Sequence, residues 1–279
     1  MRLKIIFFYA MRHKVLEIPF DVLTLAQARD KILDALRKQD RQLHVATPNP
    51  EMLLDAQINK PFEKVLQGTW LNIPDGIGIL WASSFEKAAE NKVGFSRALI
   101  GLKLLLDVFF RPNKVRAVFK ERVTGTDLMQ ELCNASQPYN IPIFLLGSTS
   151  KNLKKTEEIL LQRYSKLNIA GKFTGTPNAR DWSEIKKRID KSNAKLLFVA
   201  YGAPKQELWI NKHLKELTSV KVAIGIGGAF DYIAGKRLRA PTVFQKIGIE
   251  WLFRLLQQPS RIRRIYNAAV KFPFKVIFK

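Results

Sequence analysis

The chain has 279 residues, with 47 Lys and Arg against 24 Asp and Glu, so its formal net charge is +23. Because 47% of the residues are hydrophobic, simple disorder is excluded, and a single Cys with 15 Gly excludes disulfide-stapled and collagen-like chains. The length accommodates one large or two small domains with a buried core, and the charge predicts an anionic partner: nucleic acid, a phosphorylated ligand or an anionic membrane.

The N-terminal ten residues are basic and then apolar, as at the start of a signal peptide. Lys4 interrupts the apolar run and no small-x-small cleavage site follows, so a first β-strand is the better interpretation. The most apolar stretch elsewhere, Ala98–Phe110, contains Lys103 and Asp107. It is shorter than the roughly 18 to 20 apolar residues that span a bilayer. We therefore expect no membrane-spanning segment.

Short apolar runs alternate with segments of helical spacing along the body of the chain. The predicted strands are Gln42–Ala46, Leu71–Ile73, Ile141–Leu146, Leu196–Ala200 and Val220–Ile224. The predicted helices are Asn49–Asn59, one through Trp81, one through Cys133, Ser150–Tyr164, Trp182–Lys191 and Pro204–Leu217. Continuous apolar strands are typical of parallel sheets covered on both faces. The alternation predicts an α/β fold with a Rossmann-like, doubly wound and mostly parallel sheet.

Two basic segments are predicted to be additions to this sheet. One is an insertion at about residues 85–120, in which the apolar, helix-compatible stretch Phe95–Phe110 is flanked by Lys and Arg. The other is residues 236–279, with 11 Lys and Arg against one acidic residue. We therefore divide the chain into a body, residues 1–235, and a basic helical C-terminal appendage. Such sequences predict helices in the headgroup layer of an anionic membrane, with docking on the body by their apolar faces as the alternative.

Polar side chains follow the first two of these strands. Thr47 and Asn49 either line the ligand crevice at the carboxyl edge of an open α/β sheet or cap the next helix. Asp75 precedes two closely spaced glycines, Gly76 and Gly78, which are too few to identify a dinucleotide site. Asp75 is therefore either a helix cap or a carboxylate held in a cleft as a general base.

Four later loops bring further candidate substrate-binding residues to the same edge. Arg122 precedes a predicted helix, where it forms an anion site or is an ordinary surface arginine. Gly147 opens a Ser/Thr-rich loop suited to a phosphate or to simple capping. Gly202 and Gln206 follow another strand, with the Gln206 amide able to hydrogen-bond a base, sugar or hydroxyl. Gly227 lies in a glycine turn that permits either close backbone approach to a ligand or tight packing.

Several motifs of other protein classes are absent from the sequence. The three His residues are scattered, and no Asp-x-Asp pair or phosphate-binding Gly-x-x-x-x-Gly-Lys loop is present. We therefore expect no metal and no other cofactor. A nucleic-acid-binding protein is an alternative suggested by the charge alone, without a recognisable module to support it. A Rossmann oxidoreductase is a further alternative, but the complete glycine fingerprint is missing.

Taken together, the ordered motifs resemble the WecG/TagA/CpsF glycosyltransferases over roughly Val15–Ile265. The segments that carry the resemblance are Thr-Pro-Asn-Pro-Glu at 47–51, Pro-Asp-Gly-Ile-Gly at 74–78, Glu-Arg-Val-Thr-Gly-Thr-Asp-Leu at 121–128, Gly-Ala-Pro-Lys-Gln-Glu at 202–207 and Gly-Gly-Ala-Phe-Asp-Tyr-Ile-Ala-Gly-Lys at 227–236. The match continues through Gly-x-Glu-Trp-x-x-Arg at 248–254 and Gln-Pro-x-Arg at 258–261.

The resemblance implies an inverting glycosyltransferase with a UDP-sugar donor and a polyprenyl-diphosphate-linked N-acetylglucosamine acceptor. The sugar is of the N-acetylmannosamine type, with a glucosyl- or uronic-acid-transferring capsule or exopolysaccharide enzyme as the alternative, and the product enters cell-surface polysaccharide or teichoic acid. By the same resemblance Asp75 is the catalytic base, and the acceptor diphosphate or the membrane meets C-terminal arginines. Substrate-binding positions are Thr47, Asn49, Arg122 and Gln206, and the arginines are Arg254, Arg261 and Arg264.

The implied location is the cytoplasm, peripherally on the inner face of the cell membrane. An anionic membrane surface is then a partner, nucleic acid is not, and self-association is left open. One feature departs from the family pattern, because residues 84–120 replace a usually short connection between the Trp-Ala-Ser and Glu-Arg-Val-Thr-Gly motifs. We expect this element to form a lid or a second membrane contact near Asp75.

Overall fold

The computed structural model describes residues 11–38, 41–236, 241, 244, 250–259 and 262–279. The strand predicted for residues 1–10 lies outside these described residues. The chain begins with a two-stranded antiparallel hairpin, β1 (Arg12–Val15) and β2 (Ile18–Asp21), which the sequence pattern did not indicate.

A six-stranded parallel sheet forms the centre of the fold. Its strands are β3 (Leu43–Ala46), β4 (Leu71–Asn72), β5 (Ile143–Gly147), β6 (Ile169–Phe173), β7 (Leu196–Ala200) and β8 (Val222–Gly225). They lie in the order β4-β3-β8-β7-β5-β6, and every pair is parallel. The predicted parallel α/β sheet is confirmed. Edge strand β6 escapes the sequence pattern because it contains Gly171 and Lys172 and is only partly buried, so it has no continuous apolar run.

Helices connect the strands and cover both faces of the sheet. They are α1 (Leu25–Lys38), α2 (Pro50–Ile58), α3 (Lys60–Gly68), α4 (Ile77–Ala88), α5 (Gly94–Phe110), α6 (Gly125–Ser136), α7 (Ser150–Arg163), α8 (Trp182–Ser192), α9 (Lys205–His213), α10 (Ala229–Ile233), α11 (Glu250–Gln257), α12 (Ile262–Tyr266) and α13 (Phe272–Ile277). A π-helical turn, Asn267–Lys271, joins the last two. Helices α1 and α3 were not predicted, while α5 occupies the stretch for which a helix was expected.

Alternate side chains of the strands enter two different cores. Leu145, Phe198 and Ile224 face one hydrophobic cluster, which also contains α1 and α6 residues. Phe144 and Val199 face the other, which contains residues of α8 and α9. Because both faces of the central strands are covered, the strands read as continuous apolar runs, as expected for a doubly wound sheet.

A third hydrophobic cluster joins the hairpin, helices α2 to α5 and the C-terminal helix α13. Phe272 and Val276 of α13 are fully buried in this cluster. Gly101 of α5 permits the contact, because a Cβ there would lie 2.5 Å from Cδ1 of Ile277. Arg97 fixes the end of α13 by donating to the carbonyl oxygens of Ile277 at 2.8 Å and Val276 at 3.2 Å. The predicted alternative of docking on the body thus describes this part of the appendage.

Other aromatic side chains of the C-terminal helices point outward. Phe274 and Phe278 are 63% and 60% exposed, so α13 presents an apolar outer face as well as a buried one. Within the described part of the chain, no helix has the length and apolar character needed to cross a membrane.

Candidate functional site

A polar cavity of about 740 Å³ lies over the carboxyl ends of the parallel strands. The loops that follow β3, β5, β7 and β8 meet there, because parallel strands end at the same edge of a sheet. We call this space the polar cavity. Its side-chain and backbone lining includes Thr47, Asn49, Asp55, Asp75, Thr126, Ser148, Tyr201, Gly202, Gln206, Gly227, Asp231, Lys236 and Arg264.

Four helices of nine or more residues begin at this cavity: α2, α6, α7 and α9. Asn49 caps α2 by accepting from the backbone N–H groups of Glu51 and Met52, both at 3.1 Å. Thr124 and Thr149 cap α6 and α7 through their hydroxyl groups. The capping interpretation is therefore correct for Asn49, which also lines the cavity. The positive ends of these helix dipoles favour an anionic group in the cavity.

Gln206 holds together the two glycine loops that follow β7 and β8. Its Oε1 accepts from the backbone N–H of Gly202 at 3.1 Å and from that of Gly227 at 3.0 Å. Its Nε2 donates to Oε1 of Glu207 at 2.7 Å. Gly225 lies beneath this pair, where a Cβ would be 2.6 Å from both Gln206 Nε2 and Glu207 Oε1. The position of Gln206 is thus fixed on three sides.

Glu207 is a wholly buried carboxyl group directly behind the cavity wall. Burial raises the pKa of Glu207 from 4.5 to about 7, and hydrogen bonds from Gln206 and from the backbone partly oppose that rise. Near neutral pH the group therefore holds a proton in a large fraction of molecules. Tyr201, on the same wall, also has its pKa raised by burial.

Asp75 is held by backbone contacts on both sides. Its N–H donates to the carbonyl oxygen of Pro48 at 3.0 Å, and the carbonyl oxygen of Pro74 accepts from Val123 N–H at 3.0 Å. Gly76, with φ of 99°, occupies the N-cap position of α4, so the alternative in which Asp75 caps that helix is wrong. Asp75 instead lines two cavities.

The second cavity, of about 400 Å³, adjoins the first and is largely apolar; we call it the apolar cavity. Asn49, Glu51, Asp75 and Arg264 line both spaces, so the two cavities meet at these residues. Arg122 lines only the apolar cavity. Its remaining walls come from α4, α5 and the C-terminal helices, through Ile77, Trp81, Leu105, Val108, Phe109, Ile265, Ala268, Ala269 and Pro273.

Arg264 is paired with Glu51 at the junction of the cavities. Its Nε lies 3.0 and 2.9 Å from the two carboxylate oxygens, and its Nη2 contacts Oε2 as well. This pairing brings the C-terminal appendage to the N-terminus of α2, about 213 residues away along the chain. Glu51 stands in the first motif of the sequence, but nothing in its local pattern indicated this partner.

The structure brings most of the predicted site residues together. Thr47, Asn49, Asp75, Gly202, Gln206, Gly227 and Arg264 all line the polar cavity. Gly147 does not line it: it lies behind Ser148, and glycine is required because a Cβ would be 3.0 Å from the carbonyl oxygen of Ala200. Arg261 and the side chain of Arg254 lie outside the described residues.

Residues that the sequence did not single out also reach the polar cavity. Asp55 enters from α2, Asp231 from α10, and Lys236 from the residues after that helix. The spacing of Asp55 on α2 was a usable signal, because it lies one turn after Glu51 on the same helix face. Among the described residues, no three His, Cys, Asp or Glu side chains are grouped so as to hold a metal ion.

Comparisons of the sequence with a family model and with known proteins all identify glycosyltransferases. The sequence model of the "Glycosyl transferase WecG/TagA/CpsF family" matches residues 13–102 and 108–279. An N-acetylglucosaminyldiphosphoundecaprenol N-acetyl-beta-D-mannosaminyltransferase of Bacillus spizizenii is 30% identical over 229 residues, covering 82% of this chain and 77% of that protein. A protein of the same name from Staphylococcus aureus is 27% identical over 263 residues, covering 94% and 91% of the two chains.

Proposed function

The chain belongs to the WecG/TagA/CpsF family of glycosyl transferases, and we propose that it transfers N-acetylmannosamine from a UDP-linked donor to N-acetylglucosamine carried on a polyprenyl diphosphate. The names of the two relatives describe this transfer. The observation that carries the proposal is the position of Asp75, which lines both the polar and the apolar cavity.

The polar cavity suits the nucleotide sugar. A UDP-sugar has a charged diphosphate and many hydroxyl groups, which match hydroxyl side chains, backbone N–H groups and helix N-termini. Lys236 and Arg264 add positive charge at the rim, while Asp55 and Asp231 offer acceptors for sugar or ribose hydroxyl groups. Gln206 serves this pocket by holding the Gly202 and Gly227 loops in position.

Asp75 acts as the general base at the junction of the two cavities. Its carboxylate accepts the proton of an acceptor hydroxyl as that oxygen attacks the anomeric carbon, and the bond from this carbon to the diphosphate breaks with its electron pair leaving on UDP. Attack from the face opposite the leaving group inverts the anomeric configuration. A β-linked product from an α-linked donor follows, and β is the configuration in the names of both relatives.

The negative charge that develops on the leaving diphosphate is met by groups already in place. Helix N-termini of α6 and α7 and the hydroxyl groups of Thr126 and Ser148 face the polar cavity. Preorganised donors of this kind stabilise developing charge without having to reorganise during the reaction. Arg264, between the two cavities, is placed to interact with either diphosphate, that of the donor or that of the acceptor.

A lipid-linked acceptor requires the enzyme to work at a membrane surface, and α5 supplies a suitable face. Its exposed apolar residues recur every three or four positions and so form one stripe: Phe95, Leu99, Leu102, Leu106 and Phe109. The one acid of the helix, Asp107, is buried and paired with Arg111 at 2.7 Å, which leaves basic residues around the stripe. We assign this stripe, with Phe274 and Phe278 of the C-terminal helix, to the inner face of the cell membrane.

A panel of UDP-sugars offered with polyprenyl-diphosphate-linked N-acetylglucosamine tests the proposed reaction. We expect a lipid-linked disaccharide with UDP-N-acetylmannosamine, and its anomeric configuration to be β by NMR. A product with a glucosyl or uronic acid donor instead would assign the chain to another specificity of its family. Absence of a product with every donor would overturn the assigned acceptor.

A further inference from the structure

The apolar cavity has a polar end and an apolar end. Asn49, Asp75 and the paired side chains of Glu51 and Arg264 stand at the polar end, where the apolar cavity adjoins the polar cavity. Apart from Arg122, the walls beyond are formed mainly by apolar side chains, among them Trp81 of α4, which is 1% exposed, and Val108 of α5, which is 7% exposed. A cavity with this division of lining favours an amphipathic ligand with a charged head and an apolar chain.

The apolar end opens onto the exposed stripe of α5. Phe109 belongs to both features, since it lines the cavity and is 50% exposed. Leu106, one turn earlier on the same face, is 54% exposed and continues the apolar surface away from the site. A chain that leaves the cavity at Phe109 therefore passes along hydrocarbon and not through water, which avoids the cost of exposing apolar area.

We propose that the apolar cavity binds the first isoprene units of the acceptor lipid, with α5 and the π-helical turn as its two walls. This inference rests on the proposed function, because that function requires a polyprenyl chain attached to the acceptor diphosphate. Arg122 holds the diphosphate at the polar end, and Arg264 joins it by exchanging the Glu51 carboxylate for phosphate oxygens. Leu105, Val108 and Ala269 contact the chain beyond it. The tail then becomes a determinant of acceptor affinity in its own right and not merely a membrane anchor.

The test uses two acceptors that need no bilayer. N-acetylglucosamine diphosphate is prepared with a farnesyl tail and with a methyl group in its place, and each dissociation constant is measured by calorimetry on the full chain. We expect the farnesyl compound to bind about ten-fold or more tightly than the methyl compound, because the farnesyl tail buries apolar area in the cavity that a methyl group cannot. Equal affinities in the unmodified protein would overturn the proposal.

Two variants locate the gain. Leu105→Asn places a polar group on the α5 wall, and Ala269→Phe narrows the cavity from a position that is exposed. We expect each to abolish the tail-dependent gain. Leu161→Asn, an exposed leucine of α7 that does not line the cavity, is the control and should retain the gain. If Ala269→Phe still bound the farnesyl compound more tightly than the methyl compound, the apolar cavity would not be the binding site of the tail. The result for Ala269→Phe is sufficient if circular dichroism shows that Leu105→Asn is misfolded.

The same proteins separate this inference from the proposed function. Tighter binding of the farnesyl compound without sugar transfer from any UDP-sugar would support the apolar cavity as a lipid site and contradict the proposed transferase activity. Sugar transfer to both acceptors, bound with equal affinity, would support the proposed transferase activity and contradict the proposal that the apolar cavity binds the lipid tail. Leu99→Asn, on the stripe but outside the cavity, should keep the tail-dependent gain in solution while weakening binding to lipid vesicles.

Discussion

Among single residues, the buried pair Gln206 and Glu207 supports the wall of the polar cavity, which we propose binds the donor. Both oxygen and nitrogen of the Gln206 amide are engaged, the oxygen by Gly202 and Gly227 and the nitrogen by Glu207. A buried amide whose oxygen and nitrogen are both hydrogen-bonded is held in one orientation. The hydrogen bond from Gln206 requires the Glu207 carboxyl group to be buried. This burial raises the pKa of Glu207 and so makes the stability of the protein depend on pH.

Replacing Glu207 by Gln should remove a pH dependence from the stability of the protein. The folded state keeps a proton on Glu207 that the unfolded chain releases near its ordinary pKa of 4.5, because burial raises the folded pKa to about 7. This contribution to stability is fully present below 4.5, falls as pH rises through that window, and is lost above about 7. The whole difference corresponds to roughly 3 kcal/mol.

Urea unfolding at about pH 5 and about pH 8 measures this contribution. Relative to the unmodified protein, we expect Glu207→Gln to be more stable at the higher pH than at the lower pH, with a free energy of unfolding that is larger by up to roughly 3 kcal/mol. Glu158→Gln, at an exposed helix position, should show a difference that does not vary with pH. A pH-independent difference for Glu207→Gln would mean that this carboxyl titrates normally.

Among the helices and strands, the close approach of strand β8 and helix α9 determines the positions of the loops that carry Gly202 and Gly227. Strand β8 ends at Gly225, and helix α9 places Gln206 and Glu207 directly against it. Only a residue without a side chain allows this contact. The position of the donor-pocket loops is therefore a consequence of sheet–helix packing and not of the loops themselves.

Gly225→Ala should disturb the donor pocket without touching it directly. The added Cβ would lie 2.6 Å from Gln206 Nε2, so the amide must move and release the N–H groups of Gly202 and Gly227. We expect a loss of about 1 to 3 kcal/mol in stability and a weaker affinity for the UDP-sugar. Thermal unfolding and calorimetric titration measure the two effects.

Gly68→Ala is the matched control, because nothing lies within 4 Å of a Cβ at that helical position. It should be neutral or slightly stabilising and leave donor affinity unchanged. If Gly225→Ala bound the UDP-sugar as well as the unmodified protein, Gln206 would not be needed to shape the pocket.

At the scale of the whole molecule, the polar cavity and the apolar stripe serve one task. The polar cavity, which we propose binds the donor, lies over the carboxyl ends of the strands, and the exposed stripe of α5, which we propose contacts lipid, meets the apolar cavity at Phe109. On the proposed function, the formal charge of +23 provides a general attraction to anionic lipid headgroups, and we propose that the stripe fixes the orientation of the molecule on the membrane.

Substitution of the stripe should weaken membrane binding. We expect the triple variant Leu99→Asn, Leu102→Asn and Leu106→Asn to bind vesicles that contain anionic lipid about ten-fold or more weakly, because each leucine buries apolar area in the bilayer. Co-sedimentation with vesicles measures the change. Ile58→Asn, at an exposed position of α2, is the control. Unchanged binding of the triple variant would assign membrane contact to the C-terminal helices alone.

The residues of the polar cavity could be predicted because they follow strands. Thr47, Gly202 and Gly227 each stand just after a run of apolar residues, and parallel strands bring such positions to one edge. The antiparallel hairpin could not be predicted, since its four-residue strands mix polar and apolar positions without a clear period. Its stability comes from the cluster that it forms with α3 and α4.

The meeting of Arg264 with Glu51 shows a different limit of prediction. The family resemblance marks Arg264, yet its partner depends on the docking of α13 through Phe272 against α4 and α5. Contacts between such distant segments leave no periodic trace in the sequence. The apolar cavity is likewise formed by segments far apart in the sequence: the N-terminus of α2, helices α4 and α5, and the C-terminal helices. Its existence could therefore be learned only from the fold.

We propose that Asp75 takes the proton of the acceptor hydroxyl, and single-turnover kinetics of Asp75→Asn test this role. We expect the rate of sugar transfer to fall by about 10²-fold to 10⁴-fold with little change in the affinities for donor and acceptor. Asp55→Asn, which lines only the polar cavity, should cost less than about ten-fold in rate. A near-normal transfer rate in Asp75→Asn would contradict the account.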